Sequence, residues 1–194
     1  GIRELKLGYW AYTGFGTLRT QLDTARKAMD GIEALARKHS VRASLHVHSG
    51  KYLTAEAGNL HLLLKDRDPH HAGAYIDPGH MTLEGMGDGW RQGIDLLQNY
   101  LSMVAVKSFG VFREQADKGV EARWRAPIVP LREGTVHWRE VFACLKQLGW
   151  NGVISMHSEY QGSGSFKDLS VKELIEQTRD DLAYLRPILK AAGY

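Results

Sequence analysis

Two side chains that can bind a metal ion or move a proton follow an apolar run near the middle of the chain. Asp77 comes directly after residues 74–76, and His80 follows it, with Pro78 and Gly79 in between. Pro lacks a backbone donor and Gly tolerates unusual backbone angles, so a strand is predicted to end here in a tight turn. The alternative is an ordinary turn closed by an Asx-type hydrogen bond, with no chemistry.

The apolar runs along the chain alternate with stretches of helical periodicity. After the first run, for example, Leu18, Leu22 and Ala25 recur at steps of three and four. Continuous apolar strands that alternate with helices predict a parallel sheet covered by helices. The predicted strands are residues 2–8, 41–48, 73–77, 102–107 and 152–157. No linker or repeat interrupts this order, so residues 1–194 are predicted to form one domain.

Further polar side chains lie where these strands end. They are His46 and His48, Lys107, and His157 with Glu159. A closed (β/α)8 barrel gathers the carboxyl ends of its strands around one axis, so several strands can build one site. An open doubly wound sheet would spread the same residues along a line. The placement of these residues favours the barrel and predicts one shared pocket.

Composition restricts the partners and the compartment. The net charge of the 194 residues is only +3 and the basic residues are scattered, which argues against a nucleic-acid groove. No apolar run approaches the roughly 20 residues that cross a bilayer, so no membrane association is expected. Cys144 is the only cysteine, which excludes an internal disulfide and favours a cytoplasmic protein. Since the chain starts at Gly1 rather than Met, a signal segment ahead of it is left open.

Several short stretches, in this order, resemble the sugar phosphate isomerase/epimerase superfamily, the xylose isomerase-like TIM barrels. They are Leu45–Gly50, Ile76–His80, Val104–Ser108, Pro130–Gly134, and Gly149–Gly152 followed by Ile154–Tyr160. Their spacing is similar to that of the fourth to eighth strands of that family. The resemblance implies an α/β fold, a (β/α)8 TIM barrel of which this chain holds the C-terminal five βα units, with three N-terminal units missing.

The resemblance also implies a metal site, but this chain departs from the pattern. The family's usual ligands are a Glu, an Asp, a His and a Glu, and the matching positions hold His46, Asp77, Ala105 and His157. Residues two apart on a strand share a face, so His48 and Glu159 offer a second set one layer nearer the mouth. The expected cofactor is a divalent ion (Zn, Mn, Co, Fe or Mg). Its candidate ligands are His46, His48, Asp77, His157 and Glu159, and loss of the ion is the alternative.

Three residues are candidates for catalysis and four for substrate binding. Burying an unpaired ammonium is costly, so Lys107 at a strand end is expected to face the substrate, with a plain salt bridge to Glu159 as the alternative. The other two catalytic candidates are Glu159 and His80. The substrate-binding candidates are Trp10, His48, Arg113 and Trp124. The last two belong to the long loop 109–136, for which a lid or an oligomer contact is one interpretation and a solvated loop with Trp124 packed against the barrel is the other.

The function implied by the resemblance is a metal-dependent sugar or sugar phosphate isomerase or epimerase that works through an enediolate. One alternative is a dehydratase, a lyase acting on a keto-inositol or a dehydroshikimate-type compound. Another is a non-catalytic sugar-binding barrel that has lost its metal. A nuclease acting at abasic DNA sites is the weakest candidate, because a basic stripe is lacking. The expected partner is a small sugar or polyol, and a homo-oligomer is left open.

Overall fold

Five parallel strands form one arc of a barrel in this protein. The computed structural model describes residues 1–114 and 119–194. The strands are β1 (Glu4–Lys6), β2 (Arg42–His46), β3 (Ala72–Ile76), β4 (Leu101–Val106), β5 (Ser108–Phe109), β6 (Phe112–Arg113), β7 (Trp124–Arg125), β8 (Ile128–Val129) and β9 (Val153–Met156). The main sheet has the order β1-β2-β3-β4-β9, and each neighbouring pair is parallel. The parallel half-barrel predicted from the sequence is confirmed, and all five predicted strands are present.

Helices cover the outer face of this arc. They are α1 (Leu18–Lys38), α2 (Ala57–Leu64), α3 (Pro78–Glu84), α4 (Gly89–Leu97), α5 (Trp138–Gln147) and α6 (Val171–Ala192). Helix α1 buries the apolar stripe seen in the sequence, including Leu22, Ala25 and Met29. Helix α6 begins with a capping box, in which Ser170 and Glu173 each satisfy a backbone N–H of the other. Among the described helices, none combines the length and hydropathy that a bilayer crossing requires.

The segment after Asp77 is a helix rather than the tight turn predicted from Pro78 and Gly79. Asp77 is the N-cap of α3, and its Oδ1 accepts a hydrogen bond from the backbone N–H of His80 at 3.1 Å. Pro78 occupies the first helical position, where a missing N–H has no cost and its fixed φ suits the helix. The same features that end a strand therefore also start a helix, and this local bond holds the Asp77 side chain in place.

Alternate residues of the strands point into the barrel and fill it in layers. In the lower layer, the hydroxyls of Ser44 and Ser102 lie 2.7 Å apart. They meet across Gly73, where an added Cβ would lie only 2.6 Å from Ser44 Oγ. The next residues on the same faces are His46 and Tyr75, which are paired across β2 and β3. The small lower layer thus supports a polar layer at the carboxyl ends of the strands.

The long loop 109–136 contains two short antiparallel ladders. Strand β5 pairs with β8, and β6 pairs with β7. Phe109 and Ile128 of the first ladder are buried in a small cluster with Tyr160 and Leu169. Trp124 of the second ladder is 66% exposed. Residues 115–118 lie outside the described part of the chain, and the predicted role of the loop as a lid or oligomer contact stays a prediction.

Candidate functional site

The carboxyl ends of four strands bring predicted catalytic residues and predicted metal ligands together. His46 is the last residue of β2, Asp77 follows β3, Lys107 follows β4, and Glu159 follows β9. The four strands are neighbours in the sheet, so their ends face one space. Three of these side chains are almost completely buried, and only that of Glu159 is about half exposed. A shared pocket is therefore built from residues far apart in the sequence.

Asp77 is the centre of this group. Its Oδ2 lies 3.4 Å from His46 Nε2, 3.5 Å from Lys107 Nζ and 3.7 Å from His80 Nε2. Complete burial opposes ionisation of the carboxyl. The contact with His46 and the positive charge of Lys107 outweigh burial and hold the pKa of Asp77 at about 2. Asp77 is therefore a buried carboxylate that faces nitrogen atoms from three other side chains.

Lys107 lies between two carboxylates from different strands. Its Nζ is 3.2 Å from Glu159 Oε2 and 3.5 Å from Asp77 Oδ2, and its side chain is 2% exposed. Nδ1 of His157 lies 3.2 Å from the other oxygen of Glu159, and His157 together with Lys107 lowers the pKa of Glu159 to about 2. The salt bridge to Glu159 that the sequence offers as an alternative is present. This salt bridge alone explains neither the contact of Lys107 with Asp77 nor the burial of the ammonium.

The tautomers of two histidines follow from the carboxylate that faces them. Tyr9 Oη lies 2.6 Å from His46 Nδ1, and Ser49 Oγ lies 2.7 Å from His80 Nδ1. A hydroxyl can donate or accept a hydrogen bond, whereas the Asp77 carboxylate beside both Nε2 atoms only accepts. Burial raises the pKa of Tyr9 to about 12 and lowers the pKa of both imidazoles, that of His80 to about 3. Both rings are neutral at pH 7, and Asp77 favours the tautomer that carries the proton on Nε2.

Several polar atoms in this pocket make no well-aligned hydrogen bond within the described part of the chain, although each has an ionisable group 3.2–3.7 Å away. They are Nε2 of His46, Nε2 of His80, Oδ2 of Asp77 and Nδ1 of His157. A buried polar group without a partner costs about 1–3 kcal/mol, and several such groups in one place are unusual. Both imidazole Nε2 atoms lie within 3.7 Å of Asp77 Oδ2. The pocket is thus arranged to receive a polar ligand.

The remaining predicted metal ligands, His157 and His48, lie beside this centre. Tyr75 Oη lies 2.6 Å from His157 Nε2, and the Tyr75 ring stacks on His46 with centroids 4.6 Å apart. The His48 ring packs on His80 at a centroid distance of 3.8 Å, and its Nδ1 lies 2.9 Å from the backbone oxygen of Ser49. Burial lowers the pKa of His48 as well. These contacts fix the rings that line the pocket.

The predicted substrate-binding residues are only partly placed at the pocket. His48 lines it, whereas Trp10 is half-buried and packs against the main hydrophobic core. Arg113 and Trp124 pair across β6 and β7 and are both exposed. In the described residues, neither makes a hydrogen bond or ion pair with the central group. The substrate-binding role of these three residues stays a prediction.

Tyr9, Tyr75 and Ser49 are the pocket residues that sequence reasoning did not select. Tyr75 precedes Asp77 by two residues on the same strand, so the alternation of side chains could have indicated that it shares the pocket face. Tyr9 was one of several aromatic residues after β1, and nothing in the sequence separated it from its neighbour Trp10. Ser49 carried no signal, since its role depends on the contact with His80.

The five predicted metal ligands do not form a metal-binding group. Within residues 1–114 and 119–194, no set of three or more His, Cys, Asp or Glu side chains is arranged to hold a metal ion. Ala105 has no donor atom, and the Lys107 ammonium lies next to both carboxylates, where it repels a second cation. The Nε2 atoms of His46 and His80 face Asp77 as donors. The residues present therefore do not fit the ion that the sequence predicts.

Comparison with known proteins settles the family. A family model described as xylose isomerase-like TIM barrel matches residues 7–188. The chain belongs to the xylose isomerase-like TIM barrel family. No curated protein sequence matches this xylose isomerase-like chain significantly.

Solved structures confirm the barrel fold. A D-allulose 3-epimerase from Methylomonas sp. in complex with D-allulose is 16% identical with a TM-score of 0.69, and the match covers 95% of this chain and 62% of that one. A D-tagatose 3-epimerase-like protein is 18% identical with a TM-score of 0.64, covering 98% and 64%. A probable 3-DHS dehydratase from Bacillus anthracis is 17% identical with a TM-score of 0.59, covering 80% and 57%. The xylose isomerase-like chain thus spans less than two thirds of each of these structures.

The stability of the protein is expected to fall below pH 6.5 because of the buried histidines. An unfolded His titrates near 6.5, whereas His80 in the fold has a pKa of about 3. Between these values the unfolded chain binds a proton that the folded chain excludes, so the free energy of unfolding decreases as the pH falls. At pH 5 the loss from His80 is about 2 kcal/mol, and His46 and His48 act in the same direction.

Urea unfolding at pH 7 and pH 5 measures this effect. The His80→Gln protein should lose less stability over that interval than the wild type, while the exposed control His70→Gln should behave like the wild type. Equal stability of the wild type at the two pH values would contradict the buried, neutral state of these histidines.

Proposed function

We propose that this protein is a sugar epimerase or isomerase that moves a proton at a carbon next to a carbonyl group. The observation that carries the proposal is the Lys107 ammonium, buried beside Asp77 and Glu159 at the carboxyl ends of the strands. Related structures of this fold include sugar 3-epimerases, one with D-allulose bound, which supports a sugar as the substrate.

The donors of the pocket suit an oxygen that gains negative charge. Lys107 Nζ and the Nε2–H groups of His46 and His80 all approach the same oxygen of Asp77. Removal of a proton next to a carbonyl moves an electron pair onto the carbonyl oxygen and forms an enediolate. Fixed donors at that oxygen stabilise the charge without reorganisation of solvent. Asp77 accepts hydrogen bonds from the neighbouring sugar hydroxyl and keeps the donors in place.

Glu159 is the proposed base. It is the only one of the four central side chains that is half exposed, so it can reach a bound sugar. Its pKa of about 2 keeps it ionised at neutral pH. When a substrate oxygen takes over a hydrogen bond from Lys107, part of the interaction that lowers the pKa of Glu159 is lost, and the carboxylate becomes a stronger base. The C–H bond breaks as the carboxyl O–H bond forms. Return of the proton to the neighbouring carbon of the enediolate gives the isomer and regenerates the carboxylate, whereas an epimer forms when the original carbon takes a proton on its opposite face.

The charge of the pocket favours an uncharged sugar over a sugar phosphate. Asp77 and Glu159 are ionised, Lys107 carries one positive charge, and the ionised groups therefore sum to −1. A phosphate placed among them would be repelled, whereas sugar hydroxyls can both donate and accept.

A dehydratase is the second candidate function. A probable 3-DHS dehydratase shares the fold, and elimination of water can start from the same enediolate. The two candidates differ in their product, since an epimerase keeps every oxygen of its substrate.

A panel of ketohexoses, keto-inositols, dehydroshikimate and a ketose phosphate tests the proposal. Products are separated by chromatography and identified by NMR. An uncharged ketose should be converted to an isomer. The Glu159→Gln protein should turn it over about 100-fold more slowly, while the exposed control Glu176→Gln should match the wild type. Binding of a sugar without any conversion would instead support a non-catalytic sugar-binding barrel.

A further inference from the structure

Lys107 is the cation held between carboxylates at the carboxyl ends of the strands. Its Nζ lies 3.2 Å from Glu159 Oε2 and 3.5 Å from Asp77 Oδ2, with the ring of Phe109 at 5.8 Å. The two carboxylates come from strands on either side of β4, which carries Lys107. Only 2% of the side chain is exposed. An ammonium buried in this way compensates the charge of two carboxylates from the strands on either side of it, as a bound metal ion would.

Within residues 1–114 and 119–194, the side chains around Lys107 are not arranged as a metal site. Ala105 stands two residues before Lys107, on the same strand face, and provides only a methyl group. Nε2 of His46 and Nε2 of His80 face the Asp77 carboxylate, which only accepts hydrogen bonds and so favours the tautomer with the proton on Nε2. A protonated nitrogen has no lone pair for a metal. Both imidazoles therefore favour donation of hydrogen bonds toward the centre.

We propose that the Lys107 ammonium replaces a divalent ion in this barrel, so that the protein carries out proton transfer without a metal. The inference rests on the proposed function. Lys107 approaches the substrate carbonyl with N–H bonds and one positive charge, and the two imidazole N–H groups complete the donor set. The proton moves between the substrate carbon and Glu159, the electron pair moves onto the carbonyl oxygen, and no additional reactant is needed. A related barrel was solved in complex with magnesium.

Metal content and metal affinity of the wild-type protein test the proposal without reference to any substrate. Protein purified in the absence of chelator is analysed for elements and titrated calorimetrically with MnCl2, ZnCl2, CoCl2 and MgCl2. The wild-type protein is expected to contain no stoichiometric metal. It is also expected to show no metal binding that the Asp77→Asn replacement abolishes. A stoichiometric ion that is lost in the Asp77→Asn protein would overturn the inference. An ion that stays bound to the Asp77→Asn protein occupies a different site, and that result is compatible with the inference.

The Lys107→Met protein is expected to respond to metal ions, in contrast to the wild type. Without the ammonium, Asp77 and Glu159 are left as two uncompensated carboxylates that attract a cation. MnCl2 or ZnCl2 should therefore raise the melting temperature of Lys107→Met while leaving that of the wild type and of the exposed control Lys65→Met unchanged. A rise of the same size in the wild type would contradict the replacement. If Lys107→Met does not fold, the wild-type titration still decides.

Activity separates a failure of this inference from a failure of the proposed function. For any sugar that the wild type converts, exhaustive treatment with EDTA should leave kcat unchanged, and added metal should not raise it. Loss of activity in EDTA with recovery on adding one of the metals would overturn the inference while leaving the epimerase proposal intact. If no sugar is converted, the proposed function fails, and the calorimetric result alone tests whether Lys107 excludes a metal.

Discussion

The Lys107→Met protein is expected to lose about 10²–10³-fold in kcat for any sugar that the wild type converts, with a much smaller change in KM. Removal of one fixed donor from a developing oxyanion typically has an effect of this size on kcat. Met keeps most of the length of the side chain but has neither charge nor N–H. In the proposed reaction the sugar binds largely through its hydroxyls, whereas the ammonium acts most strongly on the charge that appears during proton transfer. Steady-state kinetics of the purified variant measure both constants.

Two controls separate this effect from unfolding. Lys65→Met makes the same replacement at an exposed position at the end of α2 and should retain full activity. Lys107→Arg keeps the charge but not the compact shape of the ammonium, and its kcat should lie between those of Lys107→Met and the wild type. A loss confined to KM, with kcat unchanged, would mean that Lys107 binds the substrate without stabilising the transition state.

The Asp77→Asn protein is expected to be less stable than the wild type by about 3 kcal/mol. Asn keeps the shape of Asp and can still cap α3, but it removes the charge that faces the buried ammonium. Removing one partner of a buried ion pair is strongly destabilising because it leaves the other charge uncompensated. Urea unfolding at pH 7 measures the difference.

A double-mutant cycle with Lys107→Met tests this explanation. If the penalty comes from the ammonium left behind, the Asp77→Asn/Lys107→Met protein should be more stable than the sum of the two single changes predicts. Additive effects would show that Asp77 and Lys107 do not interact, which contradicts the arrangement described here. The matched control is Asp66→Asn, which should leave stability nearly unchanged because the Asp66 side chain is 79% exposed and lies 3.6 Å from its ion-pair partner Arg26.

The barrel arc could be predicted from the sequence because its signals are local. The apolar runs of β3 and β4 are buried along their whole length, and a parallel sheet requires such continuous runs. The polar residue after each run, such as Asp77 or Lys107, indicated where the strand ends and on which edge its side chain lies. Parallel pairing then brings these ends together without further information.

The chemistry of the pocket depends on contacts that no local pattern contains. His46 and His157 stand at positions where the family has metal ligands, so they were predicted to bind a metal. The phenols of Tyr9 and Tyr75 each contact one nitrogen of these rings, and each phenol comes from a different strand than the histidine it contacts. Lys107 was predicted to face the substrate or Glu159, and its approach to Asp77 depends on the register of β3 and β4.

The helix α3 and the loop 109–136 show two other limits of sequence reasoning. Pro78 and Gly79 were interpreted as a turn because both residues end strands, yet Pro also suits the first position of a helix. In the loop, the short ladders β5–β8 and β6–β7 pair residues that are well separated along the chain. Strands of two residues have no periodicity to detect.

Proton exchange with solvent tests the central claim most directly. The full chain is incubated with a sugar that it converts in D2O, and NMR follows deuterium at each carbon of the recovered sugar. Formation of an enediolate next to the carbonyl predicts that deuterium enters the carbon adjacent to the carbonyl. The Glu159→Gln protein should incorporate it far more slowly, in parallel with its loss of turnover. Conversion of the sugar with every carbon-bound hydrogen retained would contradict proton abstraction by this pocket.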